Sequence, residues 1–242
     1  LNLGPFEQRF SEKRAFFTEG TELFSKGNLF YSRRVGNRPS TYIDEEEDLA
    51  SNEEILNEPS DVKMLNAIKV SGRTKNGLGI GVFNALTEKT EAKIKKTEID
   101  PLTDEEIISF RKQVTEPFAN YNVIVLDKQF NKNSSVSFVN TNVWREGKFR
   151  DANVSALLFD LTNKANKFKV EGGGGFSYLN EFDEQTKGIF TELAVRKISG
   201  NWQYGIEHSL QDKNFNKNDL GFQRRNNFSN FESYLSYQIF EP

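Results

Sequence analysis

The chain has 242 residues, of which 36% are hydrophobic and 28% are charged, a balance typical of a folded globular protein. A formal net charge of -3 argues against a general nucleic-acid binder, whose phosphate-neutralising surface usually shows as a basic excess. The lack of cysteine excludes disulfides, thiolate metal ligands and a cysteine nucleophile. No run of about 18 apolar residues exists, which excludes a transmembrane helix but not a barrel, whose strands need apolar residues only at alternate positions.

Residues 1–40 open the chain with an irregular pattern. Within them the run FFTEGTELFSKGNLFYSRRVG, residues 16–36, mixes aromatic and charged side chains in neither a helical nor a strand period. An active-site loop, a nucleic-acid groove and an internal plug all have this texture, and the strands that follow favour a segment partly inside a barrel lumen. Its charged residues expected to pair with the inner wall are Glu19, Arg33 and Arg34, although the two arginines also suit phosphate or carboxylate binding.

Residues 41–64 form an acidic stretch. It lacks the D-x-[DN]-x-[DN]-G spacing that places oxygens around a calcium ion, so a solvated acidic loop is predicted. The chain begins at Leu1 without a signal-peptide pattern and stops abruptly at residues 240–242. These ends predict a fragment of a longer protein, with further strands after residue 242.

Strand-like runs separated by turn residues begin at residue 65. The first two, residues 65–73 and 78–86, are joined by a turn that ends in Asn76-Gly77, a strong hairpin signal. The later runs are residues 121–130 with 135–144, 154–161 with 167–178, 188–198 with 201–210, and finally 228–240. This regular spacing predicts an all-β, antiparallel architecture for residues 65–242.

A polar connection, residues 88–116, interrupts these strands. Thr103 and Glu106 fit a capping box placed before Ile107, Ile108 and Phe110. The pattern predicts one short helix near residues 103–114.

Apolar and polar residues alternate along the predicted strands, as in residues 201–210, where Trp202, Tyr204 and Ile206 share one face. Alternation alone fits a soluble sandwich as well as a barrel. The long strands, the large charged face and the aromatic residues near strand ends favour part of an outer-membrane β-barrel. The aromatic residues expected at the membrane interface are Trp144, Trp202, Tyr204, Phe228 and Tyr237.

Several runs resemble the domain of unknown function 5916 family, and together they span nearly the whole chain. They are residues 10–20, 23–24, 29–36, 69–73, 77–81, 115–121, 132–135 and 219–222. The resemblance implies a large outer-membrane-associated protein of the Bacteroidota. Members of this family usually have a signal peptide and an amino-terminal module similar to family 9 carbohydrate-binding domains, both absent from this sequence, followed by a barrel-like region. Ala15 departs from the family, which usually has proline there.

Candidate catalytic groups do not form a recognisable set. A glycosidase needs two carboxylates about 5–9.5 Å apart, and the sequence offers many acids, among them Glu116, Glu171 and Glu207, without selecting a pair. His208 is the only histidine and falls on an apolar face, which favours a lipid-facing ring over a catalytic base. The glycine run 172–175 lacks a phosphate-loop pattern and lies inside a strand, where it indicates a bend or the close approach of a plug. We predict no catalytic residue, metal site or cofactor.

These observations predict a single barrel-like region, located in the outer membrane of a Gram-negative bacterium and in contact with its lipid. The expected role is non-catalytic: transport or surface assembly linked to glycan use, with glycans bound through the missing amino-terminal module. Two alternatives stay open, a cell-surface glycan hydrolase and a soluble periplasmic β-sandwich that binds carbohydrate. No nucleic-acid partner is expected.

Overall fold

The computed structural model describes residues 8–182 and 184–239, and most of their regular structure is β-strand. Helical structure there consists of α1 (Ala15–Thr18) and two 3-10 turns, Lys26–Asn28 and Ser32–Arg34. None of these has the length and apolar character needed to span a bilayer. The strands are β1 (Glu53–Asn57), β2 (Met64–Arg73), β3 (Leu78–Thr87), β4 (Thr90–Ile99), β5 (Glu106–Glu116), β6 (Ala119–Phe130), β7 (Ser134–Arg145), β8 (Asp151–Thr162), β9 (Phe168–Glu181), β10 (Glu184–Lys197), β11 (Trp202–Gln211) and β12 (Phe228–Tyr237).

Nine strands form one antiparallel sheet in the order β12-β11-β10-β9-β8-β7-β6-β3-β2. Each strand pairs with its neighbour in sequence, except that β3 pairs with β6 and the chain between them leaves the sheet. Within the described residues the sheet is open, with β2 and β12 at its edges. The antiparallel all-β architecture predicted from the hairpin spacing is confirmed.

The turns explain why the hairpins fold where the sequence predicts them. Between β2 and β3, Gly77 has a φ of 78°, in the left-handed region that glycine adopts without steric cost. Asn131 and Lys132 have positive φ values in the turn between β6 and β7, where asparagine tolerates that conformation well. The last strand ends at Tyr237, and Phe240, the predicted end of that strand, lies outside the described residues.

Residues 88–116 form a hairpin, so the helix predicted near residues 103–114 is wrong. β4 continues beyond β3, β5 leads into β6, and the two pair antiparallel. Asp104, inside the supposed capping box, has a φ of 57°, and its N–H donates to the Asp100 carbonyl at 2.9 Å, which closes a turn. β1 pairs with the other side of β4, so part of the predicted acidic loop, residues 41–64, is a strand.

One face of the nine-stranded sheet, here called the inner face, is covered by residues 8–40 and by a second irregular segment, residues 212–227. Phe83 is 1% exposed, and its ring lies 5.8 Å from that of Phe17 and 5.1 Å from that of Phe30, centroid to centroid. The main hydrophobic core therefore lies between the sheet and the first segment.

The second segment packs beside the first. The ring of Phe215 lies 4.9 Å from that of Phe190 on β10, and the Tyr31 N–H donates to the Leu220 carbonyl at 2.6 Å. A Cβ on Gly188 would lie 2.1 Å from the Phe215 nitrogen, so the close approach of this segment requires glycine at that position. The two segments form one covering layer.

The glycine run predicted to mark a bend lies in the middle of β9. A Cβ on Gly173 would lie 2.5 Å from the Leu157 carbonyl oxygen, and one on Gly175 would lie 2.3 Å from the Ser155 carbonyl oxygen. Backbone atoms of the neighbouring strand lie too close to these positions for any residue with a Cβ atom. The glycines therefore permit a local backbone geometry in β9 that a residue with a Cβ would disrupt.

Candidate functional site: an outward apolar belt and an inward charge network

The other face of the nine-stranded sheet, the outer face, exposes a band of large apolar side chains. We call this band the outer belt. Its members, from β2 to β12, are Ile68, Val70, Ile80, Val82, Ile124, Leu126, Phe138, Leu157, Leu161, Phe168, Phe176, Ile189, Leu193, Val195, Trp202, Tyr204, Ile206, Phe231, Leu235 and Tyr237. Water-soluble monomers rarely expose a contiguous apolar surface of this extent, so the outer belt marks a contact with lipid or protein.

The outer belt runs obliquely to the strands. Cross-strand pairing leads from Ile80 on β3 through seven strand-to-strand steps to Ser229 on β12. The apolar positions of β12 lie further along, from Phe231 to Tyr237, with a centre about five residues beyond Ser229. At ~3.3 Å per residue and ~4.8 Å between strands, this offset corresponds to an inclination of about 25°.

Four of the five aromatic residues predicted at a membrane interface lie on the outer face. Trp202 and Tyr237 pack together at one end of the belt, with ring centroids 4.8 Å apart, and Tyr204 follows on β11. Trp144 lies toward the opposite ends of the strands, in edge contact with Phe118 at 6.4 Å. The fifth residue, Phe228, pairs with Gln211 on the inward-pointing side and carries the Arg225 guanidinium over its ring at 5.0 Å.

The inner face holds a buried carboxylate, Asp127 on β6. Its side chain is fully buried and lies 2.7 Å from the Arg73 guanidinium and 3.2 Å from the Lys26 ammonium, and it accepts a 2.6 Å hydrogen bond from the Ser137 hydroxyl. Lys26 belongs to the covering segment, whereas Arg73 and Ser137 belong to the sheet. The carboxylate therefore bonds the covering segment to the sheet through a charge that loses much of its solvation on folding.

A second buried cluster is centred on Arg145 at the end of β7. Its guanidinium lies 3.2 Å from Glu116 and 3.1 Å from Asp219, and all three side chains are at most 7% exposed. Glu116 also accepts a 2.6 Å hydrogen bond from the Ser40 N–H, and Asp219 lies 3.0 Å from Arg150. Arg145 therefore bonds the sheet directly to residues 212–227 through Asp219, and Glu116 links the same cluster to residues 8–40 through the Ser40 N–H.

The three charged residues predicted to pair with the inner wall take different positions. Arg34 donates from Nε to the Gly221 carbonyl at 2.9 Å and so connects the two covering segments. Arg33 is partly exposed and donates to the Ser11 carbonyl at 2.9 Å. Glu19 is exposed, and its carbonyl accepts a hydrogen bond from Lys69 on β2.

Asp127, Arg145 and Asp219 join the sheet to the covering segments, and none of the three was predicted to do so. A usable signal exists for Asp127, which continues the alternating buried row of Tyr121, Val123 and Val125 along β6. A carboxylate in such a row needs a buried partner. Neither partner of Arg145 could be found this way, because one lies 29 and the other 74 residues away in sequence.

The other acids considered as catalytic candidates also form ion pairs. On the inner face of β9 to β11, Arg196 bridges Glu171 and Glu207, the latter at 2.6 Å. His208 lies on the outer face, where its Nε2 is 3.0 Å from the Ser229 hydroxyl. No group of three or more metal-ligating side chains occurs among residues 8–182 and 184–239. These ion pairs join neighbouring strands of the sheet.

Two cavities lie among the covering segments. One, of about 350 Å³, is lined mainly by aromatic and hydroxyl side chains of residues 9–32, with Lys69 at its edge. The other, of about 330 Å³, lies at the Arg145 cluster and includes Arg34, Arg38 and Arg150. Both have the size of small-molecule sites.

Within the first segment, Glu12 fixes the local fold. It binds Arg14 at 2.9 Å and accepts a 2.6 Å hydrogen bond from the Ser32 hydroxyl. Partial burial by itself raises the pKa of Glu12, but the hydrogen bonds from Arg14 and Ser32 outweigh it and lower the pKa from 4.5 to about 2. The carboxylate therefore stabilises the segment fully above pH 4.5, and this contribution is lost as the pH falls from 4.5 through 2.

We expect residues 8–40 to become easier to open as the pH falls from 4.5 to 2. Hydrogen–deuterium exchange across this range should show protection at residues 10–35 falling while the central strands β6 to β8 stay protected. In Glu12→Gln the segment should be opened already at pH 6 and its exchange should change little with pH. An unchanged acid response in that variant would assign the transition to other carboxylates.

An open antiparallel sheet with an apolar outer face and an inner face covered by ion-paired segments defines the structural class of this chain. The match to a family model described as Domain of unknown function (DUF5916) extends over residues 1–242, so the chain belongs to that family. The family resemblance noted in the sequence is thereby confirmed. No curated protein and no solved structure matches the chain.

Proposed function

We propose that this chain forms part of the wall of a Gram-negative outer-membrane β-barrel, with the outer belt facing lipid and the inner face turned toward the lumen. The observation that carries the proposal is the outer belt, which crosses all nine strands of a sheet whose opposite face is covered over its central strands. In a barrel wall, outward apolar positions alternate with inward polar or packed positions along every strand.

The oblique course of the outer belt supports the same arrangement. Strands of membrane barrels are tilted by ~35–45° from the membrane normal, so a lipid belt parallel to the membrane plane must cross them obliquely. The outer belt crosses the strands at about 25°, which is oblique but somewhat less than the tilt of strands in membrane barrels. A sheet that packs against another protein layer has no comparable reason to shift its apolar positions steadily from strand to strand.

The covering segments then lie inside the lumen as a plug. Each covering segment forms a buried ion pair with the sheet: Lys26 meets Asp127, and Asp219 meets Arg145. Large barrels are commonly plugged in this way. The role we propose is therefore non-catalytic: a plugged barrel that serves transport or surface assembly, with a link to glycan use through the module that family members usually have.

The two alternative functions receive less support. In a sandwich, two sheets stack face to face, whereas the three-stranded sheet extends from the ends of β3 and β6 and has its own small core around Ala92 and Ile94. A glycan hydrolase needs two carboxylates that are free to act on a sugar. Two of the candidate acids, Glu116 and Glu171, instead form ion pairs with Arg145 and Arg196.

Cysteine labelling tests the proposal directly because the chain has no native cysteine. Leu193 and Glu192 are adjacent on β10 and point to opposite faces. A fluorophore attached at Leu193→Cys should be quenched strongly by nitroxide-labelled lipid in reconstituted vesicles, whereas the same fluorophore at Glu192→Cys should be quenched weakly. Equal quenching at the two positions, or a detergent-independent soluble monomer, would contradict the proposal.

A further inference from the structure

The cavity at the Arg145 cluster, here called the arginine cavity, has a volume of about 330 Å³. The sheet contributes Glu116, Tyr121 and Arg145 to its lining, and residues from 34–42 and 218–219 close it from the other side. Small-molecule sites commonly have this size and contain a few polar groups that orient the ligand. The arginine cavity therefore has room for a small molecule between the sheet and the covering segments.

The two carboxylates that line the arginine cavity are already paired with arginine. Glu116 accepts from the Arg145 guanidinium at 3.2 Å with one oxygen and from the Ser40 N–H at 2.6 Å with the other. Asp219 accepts from Arg145 at 3.1 Å, and the Arg150 guanidinium contacts both of its oxygens, at 3.2 Å and 3.0 Å. Arg145 and Arg150 therefore balance the negative charge of the cavity.

Arg38 brings a further guanidinium that no carboxylate matches. It lines the cavity and is exposed, and its side chain forms no ion pair or hydrogen bond with any residue that the structure describes. Arg34 also lines the cavity, but it is bonded to the Gly221 carbonyl and to Asn218, so it is left out of the count. Three guanidiniums thus face two carboxylates, which leaves an excess of one positive charge.

The buried arginine of the cavity has a donor left over. Arg145 is 7% exposed, and its Nε and Nη1 groups make its hydrogen bonds to Glu116, to Asp219 and to the Arg150 carbonyl. Its Nη2 donates to no acceptor within residues 8–182 and 184–239. A guanidinium carries five N–H donors, and leaving a buried donor unpaired costs free energy. Since Arg145 lines the cavity, an oxygen placed there can supply the missing acceptor.

These groups define the chemical class of the occupant. An excess positive charge favours an anion, and an unpaired guanidinium donor favours an oxygen acceptor. Carboxylate and phosphate groups provide both, and their oxygens match the fork of N–H donors on arginine. Asn37 and Tyr42 also line the cavity, are exposed, and have side chains without a hydrogen-bond partner among the described residues. They are available to the uncharged part of a ligand.

We propose that the arginine cavity binds a small molecule that carries a carboxylate or a phosphate group, with Arg38 and Arg145 as the groups that hold the anion. Arg38 supplies the charge that the acids of the cavity do not match, and Arg145 supplies the buried donor. The inference is independent of the membrane location proposed above, because Arg38 belongs to a covering segment and Arg145 points to the inner face. Its failure would leave the membrane location untouched.

Isothermal titration calorimetry on the complete protein in uncharged detergent, at constant ionic strength, tests the site with hexoses of similar size. Glucuronate carries a carboxylate, glucose 6-phosphate carries a phosphate, and glucose carries no charge. At least one of the two anions should bind saturably, with one molecule per chain, and glucose should not bind. The anion that binds identifies the group that the cavity takes, and binding of both shows that it accepts either group.

Arg38→Met should weaken the binding of the anion by about tenfold or more, the change expected when a charge-assisted hydrogen bond is removed. Since Arg38 is exposed and bonds to no described residue, the variant should unfold in urea like the unmodified protein. Arg33→Met is the matched control, because Arg33 is a partly exposed arginine of the same segment that does not line the cavity. It should bind the anion like the unmodified protein.

Four results would each overturn the proposal. They are a lack of binding by both anions, equal binding of glucose, undiminished binding by Arg38→Met, and equal losses in Arg38→Met and Arg33→Met. The last of these would show that the anion responds to the overall charge of the chain and not to the cavity.

Discussion

Replacing Arg145 with methionine should lower the free energy of unfolding by about 3–5 kcal/mol, the cost typical of breaking a buried ion pair by removing one partner. The substitution leaves Glu116 and Asp219 buried without their shared guanidinium. It also removes the side chain that bonds β7 to residues 212–227 through Asp219 and reaches Ser40 of the first segment through Glu116. Urea denaturation followed by tryptophan fluorescence measures the loss, and limited proteolysis should show residues 212–227 cut faster than in the unmodified protein.

The matched controls separate charge from packing. Combining Arg145→Met with Glu116→Gln and Asp219→Asn should recover most of the loss, because it removes the uncompensated charges. Arg33→Met changes a partly exposed arginine of residues 8–40, outside the Arg145 cluster, and should alter stability by less than about 0.5 kcal/mol. If Arg145→Met stays within about 1 kcal/mol of the unmodified protein, the cluster does not hold the segments to the wall.

The hairpins β2–β3, β6–β7, β8–β9 and β10–β11 could be predicted from the sequence because a hairpin is local, whereas the pairing of β3 with β6 is not. A signal such as Asn76-Gly77 sets a turn and the flanking alternation sets the register, so nothing distant is needed. The same locality explains the error at residues 103–114. Thr103 and Glu106 have the spacing of a capping box, but their backbone hydrogen bonds are decided by β4, whose pairing with β5 outweighs a local helix preference.

The inner contacts were harder to predict, for a different reason. Adjacent arginines such as Arg33 and Arg34 suggest a binding role in the sequence. The arginine that binds two buried acids is instead Arg145, which has the pattern of an ordinary polar residue at the end of a strand. Its partners are brought to it only when the sheet forms and residues 212–227 fold back over it.

The outer belt yields the sharpest energetic test of the membrane location. Leu157 lies on the outer face of β8, between Phe138 and Gly174, and is 57% exposed. If lipid surrounds it, Leu157→Arg should destabilise the folded protein by about 2–4 kcal/mol, the cost of an arginine near the midplane of a membrane barrel. In water the same substitution at so exposed a position should change stability by less than about 0.5 kcal/mol.

Leu102→Arg is the matched control, because Leu102 is 93% exposed in the turn between β4 and β5, away from the belt. It should leave stability in lipid vesicles unchanged, so that the difference between the two variants reports the surroundings of the belt and not the tolerance of the chain for arginine. Reversible unfolding by urea titration in lipid vesicles measures the stability of both variants. Equal small effects would place the belt in water or against polar protein, and a large effect at Leu157 alone would place it in hydrocarbon.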